Sequence, residues 1–181
     1  MDIEKEIKEV LISEEELKQI CQNLGAQISK DYAGKNLLIV TVLKGAVVFL
    51  ADLLREITCD CEIDFMAVSS YSGSKTTGIV KFKKDLDVSP IDRDILIVED
   101  ILDSGITLSY LKGVLEDRQA ASIRICTLLD KPANRRADIS ADYVGKVVPD
   151  EFIIGYGLDY NEKYRNLPYV GILKREVYAG E

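Results

Sequence analysis

The sequence contains no histidine and no tryptophan. Without histidine there is no Ser-His-Asp triad, no Cys-His dyad, no imidazole metal ligand and no imidazole pH switch. Acid–base chemistry near neutral pH then falls to Asp, Glu, Lys, Tyr or Cys. Cysteine is scarce, confined to Cys21, Cys59, Cys61 and Cys126. Cys59-Asp60-Cys61 is a lone C-x-C, with no second pair to complete a zinc site, so the thiols read as reduced groups of a cytosolic protein. Long apolar runs are missing. The stretch Ala46-Val47-Val48-Phe49-Leu50-Ala51 falls far short of the ~20 residues of a membrane span. Residues 1–10 are charged and lack a signal-peptide core. Positive charge is in deficit: 23 Lys and Arg against 31 Asp and Glu give −8. A broad nucleic-acid surface needs a basic footprint, so that class is disfavoured, while a local basic pocket for one small anion stays open.

What is present suits one folded domain. The chain has 181 residues, 47% hydrophobic and 30% charged, enough for a sizeable core. Ser13-Glu14-Glu15-Glu16 has the S-x-x-E form of a capping box, and Leu17, Ile20, Cys21, Leu24 and Ile28 follow at helical spacing, predicting a helix over 14–30. Leu37–Leu43 is a continuous apolar and β-branched run suited to a strand buried on both faces. A helix over 46–57 and strands over 63–69, 79–82, 95–98 and 123–129 follow, with a helix from Thr107 to Arg118. Strands alternating with helices predict an α/β fold, a doubly wound and mostly parallel sheet flanked by helices. The last 35 residues or so, rich in Gly, Tyr and short strand-like runs, read as a small hood. The division expected is a core over about 14–146, with a hood over about 147–181 joined by the N-terminal segment.

Ile95–Thr107 carries the strongest chemical signal: four apolar residues, Glu99-Asp100, Ile101-Leu102, then Asp103-Ser104-Gly105-Ile106-Thr107 opening a helix. In an open parallel sheet, ligands sit beyond the carboxyl ends of the strands. Gly105 permits a tight turn, Ser104 and Thr107 add hydroxyls, and the helix start offers free N–H groups and partial positive charge. Such a turn can be a plain helix cap or a monophosphate cradle. Glu99 and Asp100 can be solvated acids. Beside a phosphate they can also accept hydrogen bonds from ribose hydroxyls or hold Mg²⁺.

Val98–Thr107 resembles the phosphoribosyl pyrophosphate (PRPP) signature of the type I phosphoribosyltransferases. Other segments extend the resemblance in order. Leu43-Lys44-Gly45 is similar to the family's pyrophosphate loop, and Ser70-Tyr71 to the opening of its mobile catalytic loop. Lys131, Phe152-Ile153 and Gly155–Arg165 are similar to its 6-oxopurine branch. The resemblance implies the type I phosphoribosyltransferase fold and a reaction in which a purine displaces pyrophosphate from PRPP. Hypoxanthine would give IMP and guanine GMP, with Mg²⁺ as cofactor. It implies that Lys44, Gly45 and Arg165 hold pyrophosphate, with a cis peptide at Leu43-Lys44, and that Ser70 and Tyr71 close over the reacting centre. Ser104, Gly105, Ile106 and Thr107 would bind the 5′-phosphate, and Asp103 would act on the proton at purine N7. Glu99 and Asp100 would face ribose and its metal, and Asp159 a second Mg²⁺. No nucleic-acid or membrane partner is implied; the chain would be cytoplasmic and form a homodimer or homotetramer.

Phe152 would stack on the base and Lys131 would donate to O6, with Ile153 offering backbone groups to the base edge. Taken alone, Phe152 also reads as a core aromatic and Lys131 as a solvated loop lysine. A lysine facing O6 accepts 6-oxopurines and rejects adenine, whose amino group would meet a second donor. Competing functions are a phosphoribosyltransferase for orotate, uracil or adenine, a PRPP sensor without catalysis, and an unrelated nucleotide-binding domain. The Lys131–Phe152 pair speaks against the first, and the retained Lys44-Gly45 and Ser70-Tyr71 segments against the second. Absence of G-x-x-x-x-G-K-[ST] and G-x-G-x-x-G speaks against the third.

Overall fold

A computed structural model describes residues 3–70 and 80–179. After a 3-10 turn at Ile3–Glu6, the elements are β1 (Ile7–Ile12), α1 (Glu14–Asp31), β2 (Leu37–Val42), α2 (Val47–Glu56) and β3 (Cys61–Ser70). Then come β4 (Val80–Lys84), β5 (Asp94–Leu102), α3 (Ile106–Asp117), β6 (Ser122–Asp130), β7 (Tyr143–Val147), β8 (Ile153–Ile154), β9 (Val170–Leu173) and α4 (Arg175–Tyr178).

The strands form two sheets. One has six strands in the order β4-β3-β2-β5-β6-β7. Its pairs are parallel except β3 with β4. All six residues of β2 are buried, as expected of a strand covered on both faces. Residues Leu37 and Ile39 join Leu96, Phe49 and the apolar stripe of α1 in one core. Leu38, Val40 and Val42 join Ile95, Ile97 and the Leu108, Leu111 and Leu115 face of α3 in the other. The capping box of α1 is formed: Glu16 N–H donates to Ser13 Oγ at 3.3 Å, and Ser13 N–H donates to Glu16 Oε2 at 2.8 Å. Such a cap contributes about 1 kcal/mol.

The second sheet is antiparallel, β1-β9-β8. Its apolar patch joins Ile154, Tyr164 and Leu173, with Ile7, Phe152, Tyr160 and Tyr178 packed around them. The chain runs from β2 to β3 on one side of the large sheet, then to β5 on the other. The switch point therefore lies between β2 and β5, where a ligand cleft belongs in this architecture. The loops after β2, β5 and β6 all leave the same edge, because these strands are parallel.

Two details differ from the sequence reading. The strand expected over 95–98 continues to Leu102, so Glu99 and Asp100 lie within β5 rather than beyond it. The sequence pattern does not mark β1 or β7 as strands. No helix among the described residues is long and apolar enough to cross a membrane. All four cysteines are free.

Candidate active site

The loop after β2 begins the site. Leu43 N–H donates to Met66 O at 2.8 Å, and the Leu43–Lys44 peptide is cis. A side chain at Gly45 would overlap Asp100 Oδ2, so glycine is what lets this loop lie against the acid. Gly157, at φ +101°, closes on it from the other side: a Cβ there would overlap the carbonyl oxygen of Gly45. The 155–165 segment thus brings its charges to the Lys44 loop. Arg165 Nη1 donates to Gly157 O at 2.8 Å, and Nη2 lies 2.8 Å from Asp159 Oδ1 and 3.3 Å from Glu162 Oε2. Lys44 Nζ reaches Glu162 Oε2 at 3.1 Å, while Glu162 N–H donates to Asp159 Oδ2 at 2.9 Å. Lys44, foremost, and Arg165 hold the Glu162 carboxyl below its ordinary range. Lys44, Gly45, Asp100, Asp159 and Arg165 are therefore one cluster, with Glu162 as a member the sequence reading did not assign.

Glu99 and Asp100 occupy the carboxyl half of β5. Burial and the adjacent Asp100 charge push Glu99 well above the usual carboxylate range. Burial lifts Asp100 to about 6, opposed by the Ile101 N–H and the Arg165 guanidinium. Such acids are readied for cations. Among the described residues, no three acids converge to form an all-protein metal cage. Mg²⁺ does not need one: it takes one or two carboxylates plus water and substrate oxygens, a set these residues fit.

The loop after β5 carries Asp103 to Thr107. Gly105 has φ +77° and stands at the N-cap of α3. Asp103 is therefore not the helix cap, and its buried Oδ1 has no hydrogen-bond partner among the described residues. Ser104 Oγ accepts a long bond from Ile106 N–H at 3.5 Å. Ile106 and Thr107 open α3, whose first-turn N–H groups have no acceptor within the helix. The carbonyls of this loop are held by Arg135, Arg136 and Ala137, a feature with no signature in the sequence because the acceptors are backbone.

Lys131 follows β6 and is 8% exposed, so it is not a solvated loop lysine. Its Nζ donates to Glu151 O and lies against Asp150 Oδ1, both at 3.0 Å. That holds it beside Phe152. The Phe152 ring stacks on Tyr178 (4.8 Å, 27°) and meets Tyr160 edge-on (5.4 Å). Ile153, in β8, pairs with Ile172 of β9. Ser70 closes β3, while Tyr71 and the loop expected over 72–77 lie outside the described residues.

Comparison with known proteins now gives the class. A phosphoribosyl transferase domain model matches residues 9–161, and the chain belongs to that family. Within it the chain stands among the hypoxanthine-guanine phosphoribosyltransferases. The Streptococcus mutans hypoxanthine-guanine phosphoribosyltransferase is 56% identical over 98% of this chain and 99% of its own. The Staphylococcus aureus enzyme of the same name is 54% identical over 96% and 98%. A crystal structure of a Staphylococcus aureus hypoxanthine phosphoribosyltransferase superposes with TM-score 0.95 at 52% identity, covering 98% of this chain and 97% of that one. The fold class is thus the mostly parallel six-stranded sheet of that family.

Proposed function

We propose that this chain transfers the 5-phosphoribosyl group of PRPP to N9 of hypoxanthine and guanine, releasing pyrophosphate with IMP or GMP. One observation carries the proposal: the buried Lys131 donates through Nζ to Glu151 O, which precedes Phe152 in the chain, and through its N–H to Leu102 O, which precedes Asp103, whose buried Oδ1 has no hydrogen-bond partner among the described residues. A base lying on Phe152 would offer its O6 to Lys131 and its N7 edge toward Asp103. A charged hydrogen bond of this type contributes about 1.5–3 kcal/mol.

The chemistry follows from the residues. As the bond from the anomeric carbon to pyrophosphate breaks, negative charge grows on the leaving group. Lys44 and Arg165 would neutralise it, released from Glu162 and Asp159 as pyrophosphate takes their place. When bound, Mg²⁺ supplies further charge neutralisation at pyrophosphate and ribose oxygens, with Glu99 and Asp100 at one site and Asp159 at another as its protein side. The acids also tolerate the positive character of the ribose carbon. Asp103 Oδ1, lacking a partner, would hold the N7 proton of the purine as N9 attacks. Ser104 to Thr107 would fix the 5′-phosphate at the start of α3. Ser70 and Tyr71 would exclude water, which otherwise hydrolyses PRPP. A homodimer or homotetramer in the cytoplasm belongs to the same reading.

Steady-state kinetics with PRPP, Mg²⁺ and hypoxanthine, guanine, xanthine or adenine test it. Hypoxanthine and guanine should turn over, with adenine disfavoured by about 10⁴-fold in kcat/KM. Comparable efficiency with adenine removes the O6 role of Lys131. Absence of pyrophosphate release with every base favours a PRPP sensor instead.

A further inference from the structure

Arg135 sits behind the phosphate loop, outside the cluster of charges that faces the ligand. It follows the short 3-10 turn Pro132–Asn134, which folds the chain back under the end of β5. Each of its guanidinium nitrogens is engaged. Nε donates to Asp103 O at 2.9 Å, Nη1 to Ile139 O at 2.7 Å, and Nη2 to Leu102 O at 3.0 Å. Nη2 also pairs with the Asp130 carboxylate. Two neighbouring amides finish the job: Arg136 N–H and Ala137 N–H both donate to Ser104 O, at 2.9 and 3.1 Å. Three consecutive carbonyls, those of residues 102, 103 and 104, are thereby turned toward the 135–137 segment.

In a trans peptide the C=O and the following N–H point in opposite directions. Holding those carbonyls inward turns the N–H groups of Asp103, Ser104 and Gly105 the other way. The same contacts hold Asp103 by its backbone and leave its carboxylate free of the guanidinium. Packing adds to the clamp, since a Cβ on Gly105 would meet Arg135 Cδ at 3.1 Å and Ile139 Cγ2 at 2.6 Å. Asp130, the clamp's acid, directly precedes Lys131, whose N–H donates to the same Leu102 carbonyl at 3.0 Å. One guanidinium therefore ties the loop that would bind the sugar phosphate to the strand end that would read the base.

We propose that Arg135 is a positioning residue for the reaction proposed above. It sets the direction of the phosphate-loop amides and of Asp103 without touching substrate. The inference rests on that functional reading. Arginine is required because five donors in a planar fork can serve four acceptors at once, whereas the single ammonium of lysine cannot span them.

The test compares wild type, Arg135→Gln and Arg135→Lys by titration calorimetry with IMP and with Mg²⁺-pyrophosphate, and by steady-state kinetics. Misplacement of a binding loop by about 1 Å can cost about 100-fold in rate, so Arg135→Gln should lose at least about tenfold in both IMP affinity and kcat. Pyrophosphate, held by the separate Lys44 and Arg165 cluster, should bind within about twofold of wild type. Arg135→Lys should fall between the two and stands as the test if the glutamine variant does not fold. Unchanged IMP affinity and kcat in a folded variant overturn the inference. Equal losses for IMP and pyrophosphate overturn it too, because they report general loosening. Failure of wild type to bind IMP or turn over hypoxanthine strikes instead at the proposed function, on which the inference depends.

Discussion

At Gly157 the backbone carries a φ of +101° and approaches the carbonyl of Gly45 too closely for any side chain. Replacing Gly157 with alanine must displace the Lys44 loop or the 155–165 segment. Left-handed strain of about 1–2 kcal/mol adds to that. We expect Gly157→Ala to raise the KM for PRPP by about tenfold or more, with a smaller effect on the KM for the base. Equal KM values in variant and wild type would show that the two segments adjust independently. Lys44, Asp100, Asp103, Lys131 and Arg165 enter the site reading through the resemblance of their segments to the family, and the structure brings Lys44, Asp100 and Arg165 into one cluster. Glu162 and Arg135 have no part in that reading. Glu162 matters through Lys44, brought from a distant segment, and Arg165, three residues further on, and Arg135 through carbonyls that any residue supplies.

Between elements, Asp64 joins β3 to the stretch that follows β4. It is 4% exposed. Its carboxylate accepts from the N–H groups of Phe65, Asp87 and Val88 at 2.7, 2.7 and 3.1 Å and from Lys84 Nζ at 3.3 Å. Burial alone would raise its pKa, but these donors outweigh burial and hold it below the ordinary carboxylate range. A depressed folded-state pKa gives stability that is present above the unfolded value, near 3.9, and lost as pH falls through the folded value. Asp64→Asn should therefore destabilise the chain by about 2 kcal/mol at pH 7. The gap should close progressively below about pH 4. Thermal melts from pH 7 to pH 3 check this; a constant gap would mean the charge is not what the donors need.

The legibility of elements followed their periodicity. Strand β2 and helix α1 announced themselves, one by an unbroken apolar run and the other by its capping box. Strand β1 did not, because Ile7-Lys8-Glu9-Val10-Leu11-Ile12 gains its partner only from the far end of the chain. Nor did the continuation of β5 through Glu99 and Asp100, since two acids inside a strand contradict its apolar pattern. Their position is what the proposed function, rather than folding, would require.

Across the whole molecule, two sheets divide the work proposed for it. The six-stranded sheet carries the loops for the sugar phosphate, and the region of β8 and β9 carries the aromatic wall for the base. A nucleotide product would bridge the two and stabilise both. At 100 times its Kd a ligand adds about 2.7 kcal/mol. With about 2–4 °C per kcal/mol for a chain of this size, IMP with Mg²⁺ should raise Tm by about 5–10 °C. No shift at saturating concentration would separate the two sheets thermodynamically and count against a bridging ligand.

The pairing of β1 with β9, Ile7 opposite Leu173, has a consequence for biosynthesis. On the ribosome, strands β2 through β6 emerge and can assemble while β1 still waits for its mate. The antiparallel layer is completed only after residues 170–173 clear the exit tunnel. The loop proposed for the sugar phosphate is therefore translated before the layer proposed for the base is complete.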